Sequence, residues 1–247
     1  DRINRLLDKH RVADLDGLSD RLDAMRTQLQ DAQNRDQRLA ELRTAVQNAR
    51  LNLDEIGVKL HHSRKEAGTA LASAIETHLQ HLKLTAAKVD FEWTSSTTPE
   101  AAGPYRVSMS FAANPGQPLQ PLTKVASGGE RSRVMLSLKA ALTAHLEVPT
   151  LILDEIDAGV SGDVAARMAD LIASISKAAQ VITISHLPQV AGKADHHFRV
   201  FKETHEGSAR TALVHLDTEA RVEELAAMLS GDTIGDAARA QARSLMA

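Results

Sequence analysis

Between Leu15 and Leu60 the apolar residues step by three and four in alternation. The positions are Leu15, Leu18, Leu22, Met25, Leu29, Ala32, Leu39, Leu42, Val46, Ala49, Leu53, Ile56 and Leu60, with Asp36 as the one polar member. A seam of mean period 3.5, sustained for about six heptads, predicts a coiled coil, because only a supercoiled helix keeps such a seam on one partner. At about 1.5 Å per residue this arm would reach on the order of 70 Å. A long helix inside a bundle is the plainer alternative. The segment Asp8–Gly17 is polar, contains Gly17 and interrupts the seam. It is where an antiparallel coil can reverse, with Asp1–Leu7 as the tail of the outgoing helix.

From residue 61 the helical face widens. Ala67, Leu71, Ala74, Ile75, His78, Leu79 and Leu82 form a broad stripe, as where a helix meets a globular body. The period then changes to two. Val89, Phe91 and Trp93 alternate, as do Tyr105, Val107, Met109 and Phe111, predicting a hairpin around a loop rich in Ser, Thr, Pro and Gly. Asn114–Pro118 reads as a turn. Helix and strand patterns then follow one another. Val134–Leu142 predicts a helix, and Leu151–Leu153 a short strand buried on both faces. Val164–Ile175 predicts a helix and Val181–Ile184 a second buried strand. Residues 197–201 and 211–216 predict edge strands, and a helical segment runs from Val222 towards residue 246. The fold class is α/β.

Composition narrows the partners. Hydrophobic residues make up 43% and aromatics 2%, which suits a helical, Ala- and Leu-rich protein. The absence of cysteine excludes disulfides and thiolate zinc sites, and is compatible with the cytoplasm. No apolar run is long enough to span a bilayer, and no signal peptide is seen. The net charge of −3 gives no overall attraction to nucleic acid. Residues 1–60 hold 11 Lys/Arg against 11 Asp/Glu, so no basic stripe marks the arm as a DNA-binding helix. The opening Asp1-Arg2-Ile3, already helical and without Met, predicts a piece of a longer protein.

Three short motifs carry chemistry. Ser127-Gly128-Gly129-Glu130 has Ser and Glu three apart before an apolar-periodic run, which makes a helix capping box. Its two glycines also let backbone N–H groups approach an anion at the positive end of a helix. Asp154 and Glu155 end a hydrophobic strand, at the edge where open α/β sheets bind ligands. One acid can hold Mg²⁺ and the next can deprotonate an attacking water. A pair of surface acids is the plainer reading. His186 follows the second buried strand, where it can contact a terminal phosphate or merely sit in a surface loop. His61-His62, His78, His81 and His196-His197 lack companions at zinc spacing. No Gly-x-x-x-x-Gly-Lys-[Ser/Thr] phosphate loop occurs in the 247 residues.

The order and spacing of these motifs resemble the second half of the ATP-binding-cassette ATPases. Ser127-Gly128-Gly129-Glu130 resembles the signature, Asp154-Glu155 the Walker B pair, Asp157 to Gly162 the D-loop and His186 the switch histidine. A heptad arm upstream of the signature resembles the SMC-like DNA-maintenance ATPases, whose head is split by an antiparallel coiled coil. Within that group Asn114–Leu122, Lys124–Glu130, Pro149–Asp157, Gly159–Gly162 and Ser185–Ala191 resemble the RecN family of bacterial recombination and repair proteins. The likeness is dense over residues 105–205 and looser in the arm. Arg131 departs from it, standing where the family has an apolar residue.

The resemblance implies the C-terminal lobe of an ABC/SMC-type P-loop ATPase head with a long N-terminal coiled-coil arm. Residues 1–60 would be the arm with its tip turn near 8–17, 61–85 the helix re-entering the head, and 86–247 the head lobe. It also implies ATP and Mg²⁺ as ligands. Asp154 would hold the metal, Glu155 would activate water and His186 would sense the γ-phosphate. Ser127, Gly128, Gly129 and Glu130 would contact ATP from the opposite head, and Asp157 would link the two heads. Implied partners are DNA, a second copy through the heads and the coil tips, and the N-terminal lobe of the same protein. The implied location is the bacterial cytoplasm, at the nucleoid. A fragment of a transporter ATPase and a structural coiled-coil adaptor are the other readings; the adaptor leaves Asp154, Glu155 and His186 unexplained.

Overall fold

Asp14 starts the long helix. In the computed structural model its Oδ1 accepts the Gly17 N–H at 2.8 Å, capping α2, Leu15–His81. The structure describes residues 2–124, 127–143, 145–146, 148–205, 208–231 and 233–247. Val125 and Ala126, ahead of the signature turn, lie outside the described residues, as does Asp1. The chain divides into two units, Asp1–His62 and Ser63–Ala247.

In the first unit α1, Arg2–His10, is joined to α2 by a tight turn. Arg11 takes φ 55°, with Arg11 N–H bonded to Asp8 O at 3.2 Å and Val12 N–H to Leu7 O at 3.0 Å. This pair of bonds is a Schellman stop, and Asp14 restarts the helix three residues later. The turn therefore occupies 11–14, narrower than the 8–17 segment singled out by polarity. Leu22, Met25, Leu29, Leu39, Leu42, Val46, Leu53 and Ile56 are all exposed, so the seam lies open along the helix. The ion pairs Arg26–Asp23, Arg38–Glu41 and Lys59–Glu55 lie on the solvent side. At about 0.3–0.5 kcal/mol each they add little to an isolated helix.

The second unit begins with the end of α2, which stops by the same device. Lys83 has φ 65°, Leu84 N–H bonds Leu79 O at 2.9 Å and Lys83 N–H bonds Gln80 O at 3.2 Å. Leu79 and Leu84 are both buried, together with Ile75, Val89, Phe111 and Val134. This cluster fastens the helix to an antiparallel sheet, β1 (Lys88–Glu100), β2 (Gly103–Ala112) and β3 (Gln120–Pro121), in that order. The Ser- and Thr-rich stretch expected as a loop is strand up to Glu100. Its register shifts between Ser95 and Glu100, and β1 is an edge strand of its sheet. Asn114–Gln117 forms the expected turn, with Gln117 N–H on Asn114 O and Gly116 at φ 77°.

The α/β part follows. Helix α3, Gly128–Thr143, leads to β4, Thr150–Asp154; α4, Gly162–Ile175, leads to β5, Gln180–Ile184. Strands β4 and β5 pair in parallel, Leu151 opposite Val181 and Asp154 opposite Ile184. One face rests on α3 and α4 through Leu153, Leu136, Met168 and Ile172. The other face is open: Ile152 is 61% exposed, Ile182 46% and Ile184 55%. The expectation of strands buried on both faces is therefore corrected. A continuous apolar run shows that both faces avoid water, not that this segment of chain covers both.

Short α5, Pro188–Gly192, follows β5, and the hairpin β6 (His197–His205) and β7 (Ser208–Leu216) comes next. The expected closing helix is two, α6 (Thr218–Ser230) and α7 (Asp236–Met246), parted at Gly231 with φ 72°. They pack on each other and on Ala191 through Val222, Leu225, Ala226 and Ala242.

Candidate functional site

The site gathers at the carboxyl ends of β4 and β5. Asp154 is the last residue of β4 and its side chain is exposed. Glu155 extends the ladder by one bond, its N–H reaching Ile184 O at 3.1 Å. His186 lies two residues beyond Ile184, so both acids and the histidine leave the sheet at the same edge. Glu155 then turns sharply, with φ 46°. A side chain in the left-handed region carries roughly 1–2 kcal/mol of strain, held here by the bonds on either side. Those bonds are the Ile184 contact behind it and Ala158 N–H to Glu155 O at 3.1 Å ahead of it.

The loop that follows docks on the turn at Ser127–Glu130. Gly159 has φ 74°, and a Cβ built on Gly129 would stand 2.5 Å from Gly159 O. Ser132 Oγ donates to Ala158 O at 3.3 Å. Arg133 donates from Nε to Gly129 O at 3.1 Å and from Nη1 to Leu82 O at 3.1 Å. Burial draws the Arg133 guanidinium below the ordinary arginine value, an effect that Glu130 partly offsets. The two adjacent glycines thus differ. Gly128 faces open space, whereas Gly129 exists for contact with the loop after β4. Ser127 heads α3: its carbonyl accepts Arg131 N–H at 3.1 Å, and its Oγ accepts Glu130 N–H at a long 3.4 Å. Ser127 and Gly128 are exposed, and Glu130 is half-buried.

Asp157, expected to help communicate across a dimer of heads, sits in the loop after β4. Its carboxylate is fully buried. Oδ2 accepts a hydrogen bond from Ser185 Oγ, and Oδ1 is 3.8 Å from His186 Nδ1. Sequence reasoning gave no individual role to Ser185, Arg133 or Gly159, although Gly159 and Ser185 fall within the stretches that carry the resemblance. The one available signal for Ser185 was its place directly before His186.

Among the described residues no group of three or more His, Asp or Glu side chains forms a metal cage. Magnesium asks for less, since it retains water and takes one or two carboxylates together with phosphate oxygens. The exposed carboxylate of Asp154 at a strand end fits that need. On the far side of β5 a groove of about 970 Å³ runs to β6. Ile182, Ile184, Phe198, Val200 and Leu213 stand along it as exposed apolar residues, beside polar ones such as Lys193, His196 and Arg199. No helix among the described residues is long and apolar enough to cross a membrane.

Comparison with known proteins gives a consistent set. Residues 17–209 match the RecF/RecN/SMC N terminal domain family. The DNA repair protein RecN of Halalkalibacterium halodurans is 36% identical over 94% of this chain and 42% of its own length. The DNA repair protein RecN of Xylella fastidiosa (strain Temecula1) is 34% identical over 99% of this chain and 44% of its own length. The chain thus spans less than half of these relatives. Among solved structures, the Smc head domain with a coiled coil and joint from Pyrococcus yayanosii superimposes with a TM-score of 0.58. That match has 19% identity and covers 86% of this chain and 38% of the other.

Proposed function

Because this chain belongs to the RecF/RecN/SMC family and is RecN-like within it, we propose that it forms the C-terminal lobe of an ATP-hydrolysing head in a protein of DNA double-strand break repair. The observation that carries this reading is the shared edge. Parallel pairing of Asp154 with Ile184, extended by the Glu155–Ile184 bond, brings two acids and His186 to one end of the sheet.

In the proposed reaction a γ-phosphate lies at that edge. Glu155 accepts a proton from water as the water oxygen attacks phosphorus and the bond to the β-phosphate bridging oxygen breaks, releasing ADP and phosphate. Asp154 would hold Mg²⁺, which when bound offsets charge on the phosphate oxygens. His186 contacts the γ-phosphate. The exposed Ser127–Gly128 turn, at the positive end of α3, closes on the ATP held by a second head. The phosphate loop comes from the remaining length of the protein. Two features support a further lobe: the open Ile152–Ile182–Ile184 face, and the greater length of the relatives. ATP then works as a reversible clamp between heads, and the heptad arm, paired with its missing half, holds or bridges DNA. Residues 1–60 are its arm, 61–85 the re-entering helix and 86–247 the head lobe.

The test is Glu155→Gln in the complete protein. ATP binding should persist while turnover falls on the order of 10²- to 10⁴-fold, the usual worth of a general base. Closed dimers should accumulate with ATP, seen by light scattering. Unchanged turnover removes Glu155 from its role. Stimulation of the wild-type ATPase by DNA distinguishes repair from transport.

A further inference from the structure

Asp157 is the only charged residue fully buried among the described residues, and no step above uses it. Its two oxygens are treated differently. Oδ2 accepts the Ser185 hydroxyl, while Oδ1, also out of reach of solvent, has no hydrogen-bond partner. Buried carboxylate oxygens are rarely left without a donor, so one without a donor calls for an explanation. The nearest candidate is His186. Its Nδ1 lies 3.8 Å from Oδ1, beyond hydrogen-bond length, and its ring is 66% exposed. Ser185 ties the two ends together. It gives its hydrogen to Asp157 and accepts the N–H of Leu187 at 3.0 Å. Leu187 is the residue on which α5 begins. His186 is thus held between a residue anchored to a buried carboxylate and a helix start, directly above an unoccupied acceptor.

We propose that Asp157 and Ser185 are positioning residues for His186. Ser185 fixes the backbone on which the histidine rides. The free Oδ1 receives Nδ1–H once the ring moves inward by about 1 Å, the difference between the present separation and a normal hydrogen bond. A ring that donates Nδ1–H to a carboxylate has its tautomer and plane set, and its Nε2 points away from that carboxylate. Here that direction is outward, because the opposite side of the ring faces the buried carboxylate and the ring itself is exposed. Asp157 thereby couples the loop after β4 to the residue after β5 from beneath. The inference rests on His186 contacting the γ-phosphate.

Steady-state ATP hydrolysis by the complete protein tests it, with Ser185→Ala, Ser185→Thr, Asp157→Asn, His186→Ala and the Ser185→Ala/His186→Ala double variant. We expect Ser185→Ala and Asp157→Asn to lower kcat on the order of 10- to 100-fold, the usual effect of a misaligned group, with KM within about twofold. Ser185→Thr, which keeps the hydroxyl, recovers most of the rate. The double variant is no slower than His186→Ala, because residues acting through one group are non-additive. Wild-type kcat in both Ser185→Ala and Asp157→Asn overturns the inference, and so does a double variant as slow as the product of the singles. Should Ser185→Ala fail to fold by circular dichroism, Asp157→Asn decides against Ser185→Thr: loss of kcat in the first alone supports positioning, and wild-type kcat in the first overturns it. If His186→Ala keeps wild-type turnover, the γ-phosphate reading and the inference fall together. If His186→Ala is slow while Ser185→Ala and Asp157→Asn are not, only the inference falls.

Discussion

A methyl group on Gly129 would meet Gly159 O at 2.5 Å, a backbone atom with no freedom to yield, whereas one on Gly128 would meet nothing within 4 Å. The two neighbours should therefore separate stability from turnover. Gly129→Ala should cost on the order of 1–3 kcal/mol, as overpacking against a fixed wall does, read from the urea midpoint of this chain. Gly128→Ala should stay within about 0.5 kcal/mol of the parent, yet slow ATP hydrolysis in the complete protein by crowding the exposed turn. Equal destabilisation by both would refute the division of labour. The sequence shows both glycines side by side with no hint of this difference, because the wall belongs to a loop 30 residues further along. The same holds for Asp157. Its place after Asp154-Glu155 does not reveal its burial, which depends on how the chain folds over after Glu155 at φ 46°.

At the scale of elements, β4 and β5 form a two-stranded sheet with one face packed and one bare. Two strands are too few to be stable unaided, and the packing of α3 and α4 beneath them supplies what the open face does not. If a further lobe covers that face, a charge there should be harmless to this chain and damaging to the whole protein. Ile182→Asp should leave the thermal midpoint of this chain within a few degrees of the parent. In the complete protein it should cost on the order of 2–4 kcal/mol by burying an unpaired carboxylate. A similar loss in both would show that the face is already covered within this segment. Strand positions and the parallel α/β order were legible because short apolar runs alternated with helical periods. The Schellman stops at Arg11 and Lys83 were not, since both put a basic side chain where glycine is the usual signal.

For the whole molecule, the motif order predicts an incomplete engine. Purified chain should show negligible magnesium-dependent ATP turnover, and robust hydrolysis would contradict the split head. The second unit should also be sensitive to mild acid. Burial, helped by repulsion from His81, holds His78 below the ordinary histidine value of about 6.5. Burial and then Arg221 do the same to His197, against a smaller opposing pull from Glu224. A histidine depressed in the folded state favours folding while neutral. Its contribution is complete above about pH 6.5 and is lost as pH falls through the folded value. The urea midpoint should therefore decline as pH falls below about 6.5, and His78→Gln with His197→Gln should flatten that decline. A midpoint that rises on acidification would reverse the sign.

Local pattern alone determined the heptad seam, the change from period 3.6 to period 2 to alternating helix and strand, and the motif order that led to the family. These are legible because they depend on residues within a few turns of one another. Tertiary structure alone decided that Gly129 packs while Gly128 does not, that Asp157 lies under His186, and that Ser185 joins them. It also showed that one face of β4–β5 is bare. Each of these is a contact between segments tens of residues apart, set by how loops close over a shared core, and no local periodicity encodes such closure.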